Sequence, residues 1–482
     1  MNLREQLEEA SGSIQAVRRQ TVVTSTALAT IGVLVVAAIV TFALGPALGA
    51  RSTNAWLGGL GVNCLLVGGM ALALRLSRPP VFASASSFGL LAGMSLVVVL
   101  VAAVAARLRP GAPELVPMAF IGVVVSALFD RRLSIATIAM LAAVIATQPA
   151  YRTPASLPVL LMAGGAAALV VRPTAQRDQS YVWMLVIAVC AAVMIAAAEL
   201  AAGHGTAALP FAIARGAGMA VASVIGAMLL MPFAESFTGR ETHLTLLEWG
   251  DLNRPLLQRL SLEAPGTYAH TIAIANLAEA ACRAIGANAL LARVGAYYHD
   301  IGKLSKPQYF VENQLRGRNL HDKLKPNTSA AIIRNHVREG LELAESEHVP
   351  RSIRAFITEH HGTGTIAYFL EKARERDGAV ANLAEFTYPG PVPQSAETAV
   401  VMLADGVEAA TRALVDPTPD RIREVIDLVV RQRLEQGQLR DTPLTLRQLT
   451  VVKREFARVL GGMYHARVDY PTPTPSSEAI PR

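Results

Sequence analysis

The sequence predicts an all-α protein in two parts, a bundle of membrane-spanning helices followed by an all-α domain on the cytoplasmic side. Three observations carry this. The 482-residue chain is 52% hydrophobic, with mean hydropathy +0.37, and its long apolar runs stop near residue 234. The net charge of +7 sits entirely in the apolar half: residues 1–240 hold 15 Arg, no Lys and 8 acids, leaving 29 basic and 29 acidic residues beyond. After residue 240 the apolar residues recur at helical spacing, and no run alternates as a strand would. A pI near 9.5 here reflects arginines flanking spans and not a nucleic-acid surface, so no nucleic-acid polymer is expected as a partner.

A helix needs about 20 apolar residues to cross a bilayer. Eight spans are predicted, at 21–44, 56–76, 87–107, 115–129, 133–149, 156–172, 181–202 and 209–233. The fourth and fifth are short and separated only by Asp130-Arg131-Arg132. Three consecutive charges favour a tight turn at a membrane surface over a single re-entrant hairpin. With an even number of spans and the N-terminus inside, ten arginines (4, 18, 19, 75, 78, 131, 132, 172, 177, 240) fall on the cytoplasmic side and four (51, 107, 109, 152) outside. The positive-inside rule therefore puts both termini in the cytoplasm, beneath the plasma membrane. The polar first 19 residues and the long run behind them do not resemble a cleaved signal peptide.

Glu199 and Arg215 are ionisable residues within spans. The simplest reading lets each reach the outer interface. Because span seven runs outward and span eight inward, the two also lie at similar depth, where they could form an ion pair if their faces meet. Such a pair, with span eight leading straight into the cytoplasmic half, would let the membrane part regulate the cytoplasmic domain.

The expected layout is a cytoplasmic segment at 1–20, the membrane part at 21–234, a charged linker at 235–262, a helical domain at 263–470 and a Pro/Ser/Thr-rich disordered tail at 471–482. In the helical domain, Leu277, Ala281 and Ile285 mark one face of a helix stopped by Gly286. Further helices are expected from Ala289, over Ile353–Glu359, Thr398–Leu414, Pro419–Leu434 and Leu446–Tyr464, with Lys372–Gln394 as a loop. Cys64, Cys190 and Cys282 form no CxxC pair, which excludes a disulfide framework or zinc-finger spacing.

Nine of the ten histidines follow residue 240. The informative set is His270, His299-Asp300, His336, His360-His361 and Asp405, each in a predicted helix or at its end. Five imidazoles and two carboxylates can hold two divalent transition metals with one Asp bridging. Mixed N/O donors suit Fe or Mn, admit Zn and disfavour Mg. Single members are weak signals: a second pair, His321-Asp322, is read as loop or cap chemistry. Asp405 is stronger, because it ends the apolar stretch Ala399–Ala404, where an unpaired carboxylate is costly.

The order His, His-Asp, late Asp, with the extra His336 and His360-His361 between, resembles the bimetallic HD superfamily. The stretches Glu263–His270, Gly295–Lys303, Tyr309–Gln314, His360–Thr363, Tyr388–Pro391 and Met402–Asp405 resemble the seven-transmembrane HD family of PgpH-type cyclic di-AMP phosphodiesterases. The likeness covers nearly all of 235–470 and, more loosely, the membrane half. It implies one metal on His270, His299, Asp300 and Asp405, a second on Asp300, His336, His360 and His361, and water activated between them for in-line attack on phosphorus. It implies that Lys303, one turn after Asp300, stabilises charge on the phosphoryl oxygens. The implied substrate is a cyclic dinucleotide, hydrolysed to pApA, and a homodimer is compatible with it.

The sequence departs from the family where members read Tyr-His-His and this chain has Tyr268-Ala269-His270, which keeps the ligating histidine. It departs again at the first outer loop, which is about ten residues, Ala47 to Trp56, in place of a large extracellular domain. A cyclic di-GMP phosphodiesterase is the alternative enzyme, disfavoured because Gly362-Thr363-Gly364 follows the His pair in place of a Gly-Tyr-Pro motif. A receptor or transporter using the domain only to bind ligand is disfavoured by the complete ligand set.

Overall fold

A computed structural model describes residues 32, 35–44, 53–77, 81, 84–171, 179–203, 207–314, 319–377 and 382–464. The expected N-terminal segment 1–20, most of the first span, most of the short outer loop and the tail 471–482 lie outside the described residues. The described elements are helical, and the one β-type contact among them is an isolated antiparallel bridge between Thr365 and Thr387. The chain divides into two compact units, 1–244 and 245–482.

The first unit contains α1 (Val35–Leu44), α2 (Thr53–Ser77), α3 (Ala85–Leu108), α4 (Met118–Leu128), α5 (Arg131–Ala146), α6 (Ser156–Val170), α7 (Gln179–Ala201) and α8 (Leu209–Thr238). Each overlaps one apolar segment found in the sequence. Four of them, α2, α3, α7 and α8, are long and apolar enough to cross a membrane, while α1, α4 and α6 are shorter apolar helices. These helices expose large apolar side chains such as Leu65, Leu100, Val193 and Leu229 outward, as helices facing lipid do. Helices α4 and α5 are separate. Asp130 caps α5, its carboxylate accepting from the Leu133 amide at 3.0 Å. Ser134 donates back to the Gly122 carbonyl at 3.1 Å, tying the two helices together.

The sequence left open an ion pair between Arg215 and Glu199; the described contacts pair Arg215 with Glu114 instead. Nε and Nη2 of Arg215 reach one oxygen of Glu114 at 3.1 and 2.9 Å. Glu114 sits in the short 3-10 turn Pro113–Leu115 between α3 and α4, and its side chain is only 7% exposed. A carboxylate this buried recruits a cation across 101 residues of chain, because leaving it unpaired costs more than ordering the arginine. Removing one partner should therefore be expensive. We expect Arg215→Ala to destabilise the first unit by about 3 kcal/mol, read as a lowered Tm in detergent. The double variant Glu114→Gln/Arg215→Gln should recover part of the loss, and additive losses would show that the pair is not coupled.

The second unit contains α9 (His243–Trp249), α10 (Pro255–Glu263), α11 (Pro265–Ile285), α12 (Ala289–Tyr298), α13 (Pro326–Ser346), α14 (Arg351–Glu359), α15 (Ala367–Asp377), α16 (Ala396–Arg412), α17 (Pro419–Glu435) and α18 (Leu446–Met463). The stretch 235–262 comprises the last turn of α8, then α9 and α10. Leu246, Leu256, Leu257 and Leu260 bury into the core of the second unit. Helix α11 opens on Pro265 at its first position, and it closes, as expected from the sequence, on Gly286 in the left-handed conformation, φ +74°. Its buried face, His270, Ile274, Leu277, Ala278 and Ala281, follows helical spacing. Capping boxes open α16 (Ser395 with Thr398) and α18 (Thr445 with Gln448).

The expected loop Lys372–Gln394 is corrected at its start, where α15 runs on to Asp377. Phe369, Leu370 and Ala373 bury against Ala330 and Phe386 in a small satellite cluster. The charged remainder, Glu371, Lys372, Arg374 and Glu375, masks this narrow apolar face in the sequence.

Candidate metal centre

Five helices deliver the seven residues to one place. His270 lies within α11, His336 mid-way along α13 and Asp405 mid-way along α16. His299 and His360 are the C-caps of α12 and α14, with Asp300 and His361 immediately after them. The turn Ile301–Ser305 that follows Asp300 lies directly on the backbone of α13. A Cβ at Gly302 would stand 1.8 Å from the His336 carbonyl oxygen, so only glycine allows this approach.

Asp300 is the centre of the arrangement. Its Oδ2 faces Nε2 of His299 at 3.2 Å and of His270 at 3.8 Å. Its Oδ1 faces Nε2 of His336 at 3.3 Å and of His360 at 3.6 Å. Asp405 Oδ1 is 3.0 Å from His270 Nε2, and its Oδ2 is 3.8 Å from His361 Nδ1. The ligand atoms of His270, His299 and Asp405 converge to within 4.8 Å of one another, as do those of His336, His360 and His361 and those of His299, Asp300 and His360.

The outer nitrogens are fixed by protein acceptors. Nδ1 of His299 donates to the Ala296 carbonyl at 2.7 Å, of His336 to Ile333 at 2.5 Å, and of His360 to Phe356 at 2.9 Å. Nδ1 of His270 bonds Glu408 Oε2 at 2.6 Å. This leaves each Nε2 lone pair aimed inward, the second layer of hydrogen bonds typical of metal-bound histidine.

Electrostatics agree with a cation site. Burial lowers the pKa of His360 to about 3, with His299 beside it adding to the effect, and burial and His360 hold His361 well below its ordinary value. Both are therefore neutral, ligand-competent imidazoles at pH 7. Burial also opposes protonation of His270, but hydrogen bonds to Asp405 and Glu408 outweigh it and push its pKa up to about 9, so its inner nitrogen must give up a proton before it can bind a cation. Asp300 stays well below the usual carboxylate range despite burial, because Lys303 and His299 favour its charge. Two buried atoms, His299 Nε2 and Asp300 Oδ1, have no hydrogen-bond partner. Orphaned acceptors in a dry site are costly, and a divalent cation is what this donor set fits.

Lys303 Nζ is 2.7 Å from both Asp300 Oδ2 and Glu312 Oε1 and only 12% exposed. Glu312 and Asn313 also hold the start of α11. Thr267 Oγ1 donates to Glu312 at 3.1 Å, and the amides of Gly266 and Thr267 donate to Asn313 Oδ1 at 2.8 and 3.1 Å. His321 is elsewhere in the unit: its Nε2 bonds the Tyr309 carbonyl at 2.8 Å, its ring packs on Phe369, and it joins none of the ligand groups. Asp322 is exposed, 3.9 Å from Lys372.

The sequence reading assigned no role to Glu408 or Glu312. Glu408 falls three residues after Asp405 on one helix face, a spacing that could have flagged it. Glu312 lay within a recognised motif, but nothing local shows that its carboxylate meets Lys303. Glu408→Gln should weaken metal binding about 10- to 100-fold with helix content retained, measured by titrating a metal-free preparation. Unchanged affinity would mean that Glu408 does not orient His270.

Comparison with known proteins places both units. Residues 53–242, which contain the seven helices α2 to α8, match the family described as 7TM receptor with intracellular HD hydrolase, and residues 267–410 match the HD domain. The chain is similar to the cyclic-di-AMP phosphodiesterase PgpH of Bacillus subtilis, 43% identical over 245 residues, covering 51% of this chain and 34% of that protein. It is also similar to PgpH of Listeria monocytogenes, 41% identical over 258 residues, covering 53% and 36%. The solved Listeria PgpH HD domain in complex with cyclic-di-AMP is 42% identical with a TM-score of 0.43, covering 44% of this chain and 99% of that one. The chain thus spans about a third of the length of these curated relatives. The chain joins a membrane part that matches the 7TM receptor with intracellular HD hydrolase family to a domain that matches the HD family, and that domain is similar to the PgpH phosphodiesterases.

Proposed function

We propose that this protein is a membrane-bound, two-metal phosphodiesterase that hydrolyses cyclic di-AMP to the linear dinucleotide pApA. One observation carries the reading. The two oxygens of Asp300 face two separate imidazole groups, His270 and His299 on one side, His336 and His360 on the other. Asp300 would bridge two ions, with Asp405 completing the first set and His361 the second. Two bound divalent ions, Fe or Mn, would supply Lewis-acid stabilisation of the phosphoryl oxygens and activate water.

The protein's own groups do the rest. Asp300 and the four inward Nε2 atoms hold the charge of the site in a dry, rigid frame. Lys303 orients Asp300 and brings its ammonium beside the position the phosphoryl oxygens would take. The names of the Bacillus and Listeria relatives support adenine as the base. The membrane part would place both termini in the cytoplasm, on the side of the nucleotide pool, and would hold the segments 1–20 and 471–482 there.

The test is direct. Full-length protein in detergent, loaded with Mn²⁺ or anaerobically with Fe²⁺, is given cyclic di-AMP, cyclic di-GMP and the mixed dinucleotide. Conversion of cyclic di-AMP to pApA in preference to the others is expected. A preference for cyclic di-GMP would overturn the substrate, and two bound metals without hydrolysis of any diester would overturn the enzyme in favour of a ligand-binding role.

A further inference from the structure

Among the described residues, one cation beside the metal centre has no carboxylate to neutralise it. Arg433, near the end of α17, is half-buried and forms no salt bridge within that set. On the same helix Arg423 pairs with Asp420 at 3.0 Å, and Lys453 of α18 pairs with Asp427 at 2.8 Å, while Arg421 and Arg431 are exposed to solvent. The side-chain partner of Arg433 is the neutral amide oxygen of Gln436, at a long 3.4 Å.

Its guanidinium is wedged between two ligand-bearing segments. Nη1 stands 3.3 Å from where a Cβ would be on Gly364, three residues after His361. Nη2 stands 3.9 Å from the same point on Gly406, the residue after Asp405. A Cβ at Gly364 would crowd the guanidinium, whereas one at Gly406 would meet it in ordinary contact and crowd Val429 instead. The cation also acts electrostatically on Tyr388, whose ring stacks on His361 with centroids 4.2 Å apart. The wedge is built: Gln438 accepts from the Thr363 amide at 2.9 Å, its own backbone amide donates to the Arg433 carbonyl at 3.0 Å, and Gly362 takes φ +54° to make the turn. One buried glutamine therefore holds the His361 turn and the end of α17 together.

A half-buried guanidinium with no anionic partner, next to but not bonded to the ligand set, is suited to a phosphate oxygen. A cyclic dinucleotide carries two phosphodiesters, and only one can lie at the metals. Resting on the functional reading above, we propose that Arg433 is a substrate-positioning residue that binds the second, uncleaved phosphate of the cyclic dinucleotide. It would select diesters bearing two phosphates over those bearing one.

The experiment compares two substrates on full-length protein, cyclic di-AMP and bis(4-nitrophenyl) phosphate, which has a single phosphate. Arg433→Ala should raise KM for cyclic di-AMP roughly 10- to 100-fold and leave kcat/KM for the nitrophenyl diester and the metal content unchanged. Arg433→Lys, which keeps the charge but loses the fork, should recover part of the KM and guards against a folding defect in the alanine variant. An unaltered KM for cyclic di-AMP in Arg433→Ala overturns the inference while leaving the phosphodiesterase intact. Equal loss on both substrates also overturns it, since Arg433 would then act at the reacting phosphate or on the fold. Wild-type protein that cleaves the nitrophenyl diester but no cyclic dinucleotide overturns the functional reading and this inference with it.

Discussion

Replacing Asp300 with alanine is expected to lower hydrolysis on the order of 1,000-fold or more and to strip bound metal. Its carboxylate lies between the two imidazole groups: Oδ2 looks toward His270 and His299, Oδ1 toward His336 and His360. Removing it takes a ligand from both ions at once. The domain should still fold. Its core of Ile274, Leu277, Phe356, Val401 and Phe456 does not depend on the carboxylate, and Lys303 keeps Glu312 as a partner at 2.7 Å. The check is metal content by mass spectrometry beside circular dichroism and turnover. Turnover within a few-fold of wild type would sink the bridging role.

The second large effect separates the two His-Asp pairs. His299→Ala should lose metal and activity to a similar extent, because its Nε2 is buried without a hydrogen-bond partner and points at Asp300. His321→Ala should keep both metals. Its imidazole is a packing piece between Tyr309 and Phe369 and bonds a carbonyl, so its loss should cost about 1–3 kcal/mol of stability instead. Measuring metal stoichiometry and Tm on both variants distinguishes them. Equal metal loss from the two would show that the wrong doublet had been placed at the centre.

Much of this molecule could be read from local pattern. Helix α11 ends at Gly286 because glycine alone takes the left-handed conformation cheaply, and that residue is visible in the sequence. Each of α1 to α8 overlaps one of the eight apolar segments, and four of them, α2, α3, α7 and α8, are long and apolar enough to cross a membrane. The seven candidate ligands could be named because their order along the chain resembles the HD superfamily, with Asp405 also flagged by its apolar helix, and the structure brings all seven together.

The tertiary structure alone decided which distant groups meet. Arg215 and Glu199 lay at matching depths, but depth does not fix which face of a helix turns toward which neighbour. Glu114, from a turn between α3 and α4, takes the arginine instead. Glu408 and Glu312 acquire roles only when α16 closes on α11 and the turn after Asp300 lies against Phe310–Asn313. The same holds for Arg433, whose setting between Gly364 and Gly406 comes from three segments far apart in sequence. Hydrophobic periodicity is a local property that the chain carries with it from residue to residue. Only near neighbours such as Asp300 and Lys303 can be paired from spacing; the partner of a charge distant in sequence is set by the packing of whole helices.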